Sequence, residues 1–539
     1  MAEQWANRRP EPAPPGGRDL YLDLDLSGPE GIRSSLIRAL RDAVRSGRLA
    51  PGTRLPPSRT LAVDLGVARN TVADAYGELV AEGWLTARQG SGTRVAPRTA
   101  PATTRSTPPR GGSARGTAPR AAQAGTATSR SAQADTAQAR TAQARAGTVP
   151  GGSADARGGA PTGGWGRSPF AAGDGITHSL YAGSPDVSAF PRSAWIAATR
   201  RALTRAPSEA FGYGDPRGRV ELRHALADYL ARARGVRTDP DRIVVCAGFV
   251  QGLSLLSRVL RADGARRLAV EGYGLAHHRN LITAAGLHTD PLTVDRHGAR
   301  VDDLAQLPRC RAVLLTPAHQ FPTGVPLHPD RRAAVVDWAR ATGGLVLEDD
   351  YDGEFRYDRQ PVGALQGLDP ERVVYLGTAS KSLAPGLRLG WMALPERLVD
   401  RVVAAKNADE RHPAVVDQLT LAEFIGSGGY DRHLRAMRLR YRRRRDRLVA
   451  ELADRAPSVQ VSGIAAGLHA VLRLPPGTER EAVNGAGWMG LAVQGLDDFR
   501  YPGSPAAYPD GLVVGYGTPP DHAFSGALDS LCQLLDALG

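Results

Sequence analysis

The chain has 539 residues, a formal net charge of +13 and three cysteines, Cys246, Cys310 and Cys532. A single core rarely grows beyond about 300 residues, so the length argues against one domain, and the positive charge favours a polyanionic partner. The cysteines lack paired or metal-ligand spacing, and no apolar run approaches the ~20 residues of a membrane span or forms a signal peptide. These features argue against a disulfide framework, a zinc site and export, and they predict a cytoplasmic protein.

The first predicted unit, residues 20–96, contains three helices and a hairpin. Apolar residues recur at helical spacing over 32–44, 58–65 and 72–79, and only a tight turn separates the last two helices. The segment WLTARQGSGTRV then alternates around a Gly-rich reversal, which predicts a two-stranded wing. The pattern predicts an α+β winged helix-turn-helix head.

This arrangement assigns two kinds of DNA contact. Recognition helices present their first residues to base edges in the major groove, and here these residues are Arg69, Asn70 and Thr71. Contacts to phosphate or the minor groove are expected from the start of the preceding helix and from the wing, at Ser58, Arg59, Arg88, Gly90 and Gly92.

The string LPPSRTLAVDLGVARNTVADAYGELVAEGWLTARQGSGTRV, at 55–95, closely resembles the GntR-type winged helix. The resemblance implies binding to double-stranded promoter DNA. The alternative for this head is a helical module used only for protein contacts.

Residues 97–168 are rich in Ala, Thr, Ser, Gly, Pro and Arg and carry almost no large apolar side chains. Such a segment cannot bury enough surface to fold, which predicts a disordered, flexible linker between the head and a large body.

The body, residues 170–539, alternates apolar runs with helical stretches. The runs are IVVC at 243, LAV at 268, AVLL at 312, LVLED at 345 and VVYLG at 373. This alternation predicts an α/β fold with a mostly parallel sheet, whose strand ends gather ligand-binding residues.

The strand ends supply what a pyridoxal phosphate site requires: an amine, an anion for the pyridine nitrogen, phosphate donors and an aromatic surface. Only two lysines occur in the chain, and Lys381 follows a strand whereas Lys406 lies in a charged helical stretch. Asp349 ends the LVLED strand, and Tyr351 can reach the ring's phenolic oxygen. Tyr273 is the candidate stacking ring, and phosphate donors are expected from Gly248, Phe249, Val250, Thr378, Ser380 and Arg388.

The motifs TPAHQFPTG at 316–324, EDDYDGEFRY at 348–357 and GTASKSLAPGLRLGW at 377–391 strongly resemble the MocR branch of the GntR regulators. The resemblance implies a fold type I aminotransferase-like body that holds pyridoxal 5′-phosphate as an internal aldimine on Lys381. It also implies that Asp349 pairs with the pyridinium and that Arg388 binds phosphate or a ligand carboxylate. A ring-oxygen donor is expected near His319 and Gln320, with the choice between them open.

The same resemblance implies a homodimer, because Tyr213 in FGYGDPRG is similar to the tyrosine that reaches the neighbouring subunit's phosphate. The late strand GLVVGYG, residues 511–517, has no arginine for a substrate carboxylate, and Arg500 aligns only loosely. We therefore expect a transcription regulator that senses pyridoxal phosphate or an amine or amino acid that reacts with it. The alternatives are an active transaminase tethered to DNA by its head and a dimerisation module that has lost its cofactor.

Overall fold

The structure is a computed structural model that describes residues 31–45, 49, 52–65, 67–81, 84–88, 92–96, 175–357, 363–409, 414–504 and 508–538. The predicted linker, 97–168, lies outside these residues. None of the helices in these ranges combines the length and the apolar composition needed to cross a bilayer.

The head contains the three predicted helices and the predicted wing. Its elements are α1 (Gly31–Arg45), α2 (Ser58–Leu65), α3 (Arg69–Ala81), β1 (Leu85–Arg88) and β2 (Gly92–Val95). The strands pair antiparallel, with Leu85 opposite Val95. The apolar faces of the helices form one core, in which Leu36, Leu40, Val72 and Ala75 are fully buried. Helical periodicity in this segment therefore identified the residues that pack together.

The body alternates strands and helices, as predicted. Its strands are β3 (His178–Ser179), β4 (Ile243–Cys246), β5 (Arg267–Glu271), β6 (His288–Leu292), β7 (Val294–Asp295), β8 (Gly298–Ala299), β9 (Cys310–Leu315), β10 (Leu345–Asp349), β11 (Val373–Thr378), β12 (Gly390–Ala393), β13 (Gln460–Ser462), β14 (Ala470–Arg473), β15 (Leu491–Ala492), β16 (Gln494–Gly495) and β17 (Gly511–Val514). Its helices are α4 (Arg192–Arg205), α5 (Val220–Ala233), α6 (Phe249–Ala262), α7 (Ala276–Ala284), α8 (Pro329–Thr342), α9 (Glu396–Asp409), α10 (Val415–Gly426), α11 (Gly429–Arg455), α12 (Glu479–Trp488) and α13 (Asp521–Asp536).

The central sheet has seven strands in the order β4-β12-β11-β10-β9-β5-β6. All neighbours pair in parallel except β12, which is antiparallel to both β11 and β4. Because side chains alternate between faces, Leu347 packs with α6 and α9 on one side and Val346 packs with α8 on the other. With both faces covered, the strands read as continuous apolar runs, which is why the sequence revealed them.

A smaller antiparallel sheet, β13-β14-β17-β16, follows the long helix α11. It packs with α12 and α13 in the same hydrophobic core as α5 and α10. Ligand chemistry is expected at the carboxyl ends of the parallel strands in the central sheet, where the loops begin.

Candidate functional site

The first residues of α3 are largely exposed. Arg69 and Asn70 are exposed and Thr71 is partly buried, whereas Val72 and Ala75 turn into the core of the head. The three predicted base-contacting residues therefore lie together at a helix N-terminus. This is the geometry in which a recognition helix enters a groove.

Only some of the residues predicted to contact the DNA backbone or minor groove lie within the described residues. Ser58, partly buried, and Arg59, exposed, begin α2, and Gly92 begins β2 with φ of 77°. Gly90 and the side chain of Arg88 lie outside the described residues. The sequence reading missed Arg54, whose exposed side chain packs against Gly92 and adds a cation beside the wing.

A cavity of about 320 Å³ opens at the strand ends of the body. Among the predicted cofactor residues, those that line it are Phe249, Val250, Tyr273, Asp349, Tyr351, Thr378, Ser380, Lys381 and Arg388. Residues almost 140 positions apart thus meet in one space whose volume suits a small ligand.

Lys381 lies beyond the end of β11, in the loop that leads to β12, and enters this cavity. Its Nζ donates a hydrogen bond to the carbonyl oxygen of Gly183. Burial lowers the pKa of Lys381 to about 8, although the carboxylates of Asp349 and Asp352 oppose that shift. A larger share of the amine is therefore neutral near pH 7 than in an exposed lysine, and the neutral amine is the form that attacks a carbonyl carbon.

Asp349, at the end of β10, is 5% exposed. Its Oδ1 is buried and has no hydrogen-bond partner among the described residues. Burial, with a contribution from Asp350, raises the pKa of Asp349 well above its usual range. Buried polar atoms are rarely left unpaired, so this oxygen points to a ligand with a positively polarised N–H.

One end of the cavity is suited to an anion. Gly248 has φ of 84° and precedes α6, whose first amides belong to Phe249 and Val250. A Cβ on Gly390 would lie 2.7 Å from the Gly248 backbone, so these two segments approach as closely as glycines allow. Arg388 donates from Nη2 to the Ala247 carbonyl (2.5 Å), which fixes its guanidinium beside the helix N-terminus.

Two hydroxyls complete this anion-binding end. Thr378 Oγ1 donates to Ser380 Oγ (2.9 Å) and accepts from the Ser380 backbone N–H (3.1 Å). Both side chains line the cavity. A guanidinium, two hydroxyls and a helix N-terminus together match the donors that hold a phosphate.

Neither His319 nor Gln320 lines the cavity; Phe321 does. The Gln320 amide is fully engaged, because it donates to Glu271 and to backbone carbonyls and accepts from Thr323. His319 lies behind Tyr351, with its Nδ1 2.8 Å from Asp352 Oδ2 and 3.1 Å from the Tyr351 hydroxyl. Neither side chain of this pair therefore lies in the cavity lining, and His319 instead contacts the hydroxyl of the lining residue Tyr351.

The two remaining tyrosines differ in exposure. Tyr273 is buried in the cavity wall and packs edge-on against Tyr508, with ring centroids 5.5 Å apart. Tyr213 is 90% exposed and does not line the cavity of its own chain.

Four ionisable lining residues were not predicted from the sequence: Glu271 at the end of β5, and His277, His278 and Arg279 in the first turn of α7. Burial lowers the pKa of His278 to about 3, so this ring is neutral near pH 7. The available signal was HHR at 277–279, shortly after a predicted strand end, where ligand-binding residues collect.

Glu271 makes the stability of the ligand-free protein depend on pH. Burial raises its pKa from 4.5 to about 7, against hydrogen bonds from Thr316 and Gln320. The folded state therefore binds a proton more tightly than the unfolded state, and stability falls as pH rises from about 4.5 to 7. Relative to Glu271→Gln, we expect the wild type to lose at most about 3 kcal/mol over this window, measured by urea unfolding at pH 5 and pH 8. An equal pH dependence in the two proteins would contradict this assignment.

The candidate cation for a substrate carboxylate, Arg500, is engaged elsewhere. Its Nε donates to Asp497 (2.5 Å) and its Nη1 to the Ser504 carbonyl (2.6 Å), and it does not line the cavity. Strand β17, Gly511–Val514, carries no arginine, as its sequence indicates.

Comparison with known proteins matches both parts of the chain. Residues 32–95 match the family model for bacterial regulatory proteins, gntR family, and residues 180–484 match aminotransferase class I and II. The probable rhizopine catabolism regulatory protein MocR of Rhizobium meliloti is 32% identical over 484 residues, which is 89% of this chain and 87% of that protein. The HTH-type pyridoxine biosynthesis transcriptional regulator PdxR of Corynebacterium glutamicum is 31% identical over 93% of this chain and 95% of that protein.

Among solved structures, the multiple substrate aminotransferase from Thermococcus profundus superposes with a TM-score of 0.59 at 24% identity. The match covers 67% of this chain and 91% of the enzyme. At that identity the likeness establishes the fold of the body.

Proposed function

Because the chain belongs to the family of HTH-type transcriptional regulators that join a gntR-family head to an aminotransferase class I and II body, we propose that it is a transcription regulator whose body senses pyridoxal phosphate or an amine that reacts with it. In this proposal residues 20–96 bind promoter DNA, residues 97–168 form the linker and residues 170–539 bind the cofactor.

The observation that carries the proposal is the unpaired, buried Oδ1 of Asp349 in the same cavity as Lys381. A carboxyl group without a protein partner suits a pyridine nitrogen, and a lysine amine whose neutral share is increased by burial suits an aldehyde. When bound, pyridoxal phosphate supplies an aldehyde carbon that condenses reversibly with primary amines. The phosphate would be held by Arg388, Thr378 and Ser380. The pyridine ring would stack on Tyr273.

Two observations do not favour the alternative of an active transaminase. Strand β17 carries no arginine, and the relatives are named as regulators. We propose sensing in place of turnover. Sensing requires that the bound ligand stabilise one arrangement of the protein more than another.

The partner side of the site is proposed to come from a second copy of the chain. Exposed apolar side chains occur on α4 (Ile196 and Leu203), between α4 and α5 (Phe211) and at the start of α5 (Val220). Exposed apolar side chains of this kind suit a protein interface, and the exposed Tyr213 follows Phe211 by two residues in the sequence. In the dimer, the partner subunit's Tyr213 would reach the phosphate.

The test is binding of the purified full-length protein to the DNA upstream of its own gene, measured with and without pyridoxal phosphate. We expect the cofactor to change the affinity or the length of the protected site. Unchanged binding at cofactor concentrations that saturate the visible absorption would contradict the sensing role and leave the DNA-binding role intact.

Arg69→Ala is expected to weaken specific DNA binding by about 10- to 100-fold, because one contact of a recognition helix is worth about 1–3 kcal/mol. Arg33→Ala is the matched control, because it removes the same charge from a different helix. Arg33 lies on α1 and pairs with Glu78 (2.6 Å), which is nine residues after Arg69 on α3. Band-shift titrations at fixed salt measure both variants. Equal losses would mean that Arg69 contributes only general charge.

A further inference from the structure

The long helix α11, Gly429–Arg455, concentrates positive charge within the body. Residues 170–539 contain 45 lysines and arginines against 42 aspartates and glutamates, so the body as a whole is nearly neutral. Within it, α11 has ten arginines and four acidic residues, and six of the eight residues at 440–447 are arginines. The remainder of the body therefore has a small excess of negative charge, and its positive excess lies in this one helix.

The arginines of α11 that turn towards the protein already have partners. Arg444 is 5% exposed, and its Nη2 donates to Asp186 (2.9 Å) and to Asp521 (2.5 Å). Arg440 pairs with the same two carboxylates, at 3.1 and 3.0 Å. Asp521 is the first residue of α13. These two arginines therefore hold α11 in the body, and their role is structural.

Other arginines of α11 lie on its solvent-facing side. Exposed residues recur at intervals of three and four, as a single helix face requires, at Arg432, Ala436, Leu439, Arg442, Arg443, Asp446, Arg447 and Ala450. We call the four arginines among them, Arg432, Arg442, Arg443 and Arg447, the arginine face. At 1.5 Å per residue this face is about 22 Å long.

Little acidic charge neutralises the arginine face. Among the described residues, neither Arg432 nor Arg443 pairs with an acidic side chain. The other two arginines have longer contacts within α11, to Asp446 (3.8 Å) and to Glu451 (3.5 Å). Ion pairs open to water contribute little, and neighbouring like charges on a helix repel one another. An external anion would therefore stabilise this face.

We propose that the arginine face of α11 is a second DNA-contacting surface, which binds the phosphate backbone beside the site that the head reads. The inference rests on the proposed function, in which the head binds promoter DNA. A duplex about 22 Å long carries about 13 phosphate charges, which matches a face of this length and sign. An anionic membrane surface would also attract these charges. DNA is favoured because the head and the body belong to one chain, so the head brings DNA to the body and even a weak contact adds to the affinity.

The experiment measures binding of the full-length protein to the DNA upstream of its own gene at several salt concentrations. The wild type is compared with the triple-alanine variant Arg442→Ala/Arg443→Ala/Arg447→Ala. Each phosphate contact adds about 0.9 to the slope of log affinity against log salt concentration. We therefore expect the slope to fall by about 2 to 3 for each chain in the complex, and the affinity at about 0.1 M salt to fall by roughly 10- to 100-fold.

Hydroxyl-radical footprinting locates the contact. The triple-alanine variant should lose protection of one part of the DNA backbone and should keep protection of the part that depends on Arg69 in the head. A contact made only by the head would leave the whole footprint unchanged.

Two further variants control for charge. Arg266→Ala/Arg309→Ala/Arg480→Ala removes three exposed arginines elsewhere in the body, before β5, before β9 and in α12, and its salt slope should change by less than about 1. The triple-lysine variant of the arginine face should bind DNA nearly as the wild type does, because phosphate contacts of this kind require the charge. An unchanged urea unfolding midpoint in each variant establishes that the body is folded.

The outcomes separate this inference from the proposed function. A wild-type protein that binds its upstream DNA no better than unrelated DNA would overturn the proposed function, and this inference with it. Preferential binding by the wild type, combined with an unchanged slope and footprint in the triple-alanine variant or with an equal loss in the charge control, would overturn only the role of α11. Unchanged DNA binding with lost binding to phosphatidylglycerol vesicles would assign the arginine face to a membrane surface instead.

Discussion

Replacing Lys381 with alanine is expected to abolish the visible absorption that pyridoxal phosphate gains on binding, and to abolish the cofactor's effect on DNA affinity. The chain offers no substitute amine in this cavity. Its one other lysine, Lys406, lies in α9, is fully buried and donates to the carbonyl oxygen of Pro216 (2.9 Å). Loss of the Lys381 amine therefore removes the covalent attachment outright, which makes this the largest effect that we expect.

Absorption titrations with pyridoxal phosphate measure the first effect, and band shifts on upstream DNA measure the second. Lys406→Arg is the matched control, because it changes the other lysine while keeping a donor for Pro216, and it should retain the absorption. Lys381→Ala should still bind DNA without cofactor, since the head is intact. Persistence of the absorption in Lys381→Ala would refute the assignment of this residue.

The fold was predictable to the extent that it depends on periodicity. The strands at 243, 268, 312, 345 and 373 contain apolar runs because helices cover both faces of the sheet, and each of them is present. The spacing of Leu36, Leu40 and Val72 likewise identified the core of the head. Short strands such as β15, which pairs with β3 more than 300 residues away, carry no such signal because their pairing is decided by tertiary packing.

Of the site, the sequence indicated the groups at strand ends but not the direction of every side chain. Lys381, Asp349 and Arg388 were identifiable because a loop amine, a terminal carboxylate and a nearby guanidinium have few other roles in that order. The orientation of Gln320 could not be identified from the sequence. It depends on hydrogen bonds to Glu271 and to the Tyr273 carbonyl, which come from a different strand and loop. Arg279 was missed because an arginine in the first turn of a helix is ordinarily a solvated residue.

Asp349→Asn is expected to lower the affinity for the cofactor and to raise the stability of the ligand-free protein. Affinity for pyridoxal phosphate should fall by about 10- to 100-fold, because a hydrogen bond to a charged partner, worth about 1.5–3 kcal/mol, is replaced by a weaker neutral one. The ligand-free protein should become more stable near pH 8. The pKa of Asp349 is raised by burial, so ionising this carboxyl costs more in the folded state than in the unfolded state, and stability falls as pH rises. Asparagine removes that cost.

Absorption titration measures the affinity, and urea unfolding without cofactor measures the stability. Glu348→Gln is the matched control for affinity, because Glu348 precedes Asp349 in β10, is equally buried and has a pKa raised to about 7. Its oxygens accept from the backbone amides of Leu365 and Gln366 and do not line the cavity. Cofactor affinity should therefore persist in Glu348→Gln and fall in Asp349→Asn. If both cofactor affinity and ligand-free stability fell in Asp349→Asn, Asp349 would be a structural carboxylate. A lower affinity with a higher ligand-free stability is the result expected of a group that the fold leaves unpaired for its ligand.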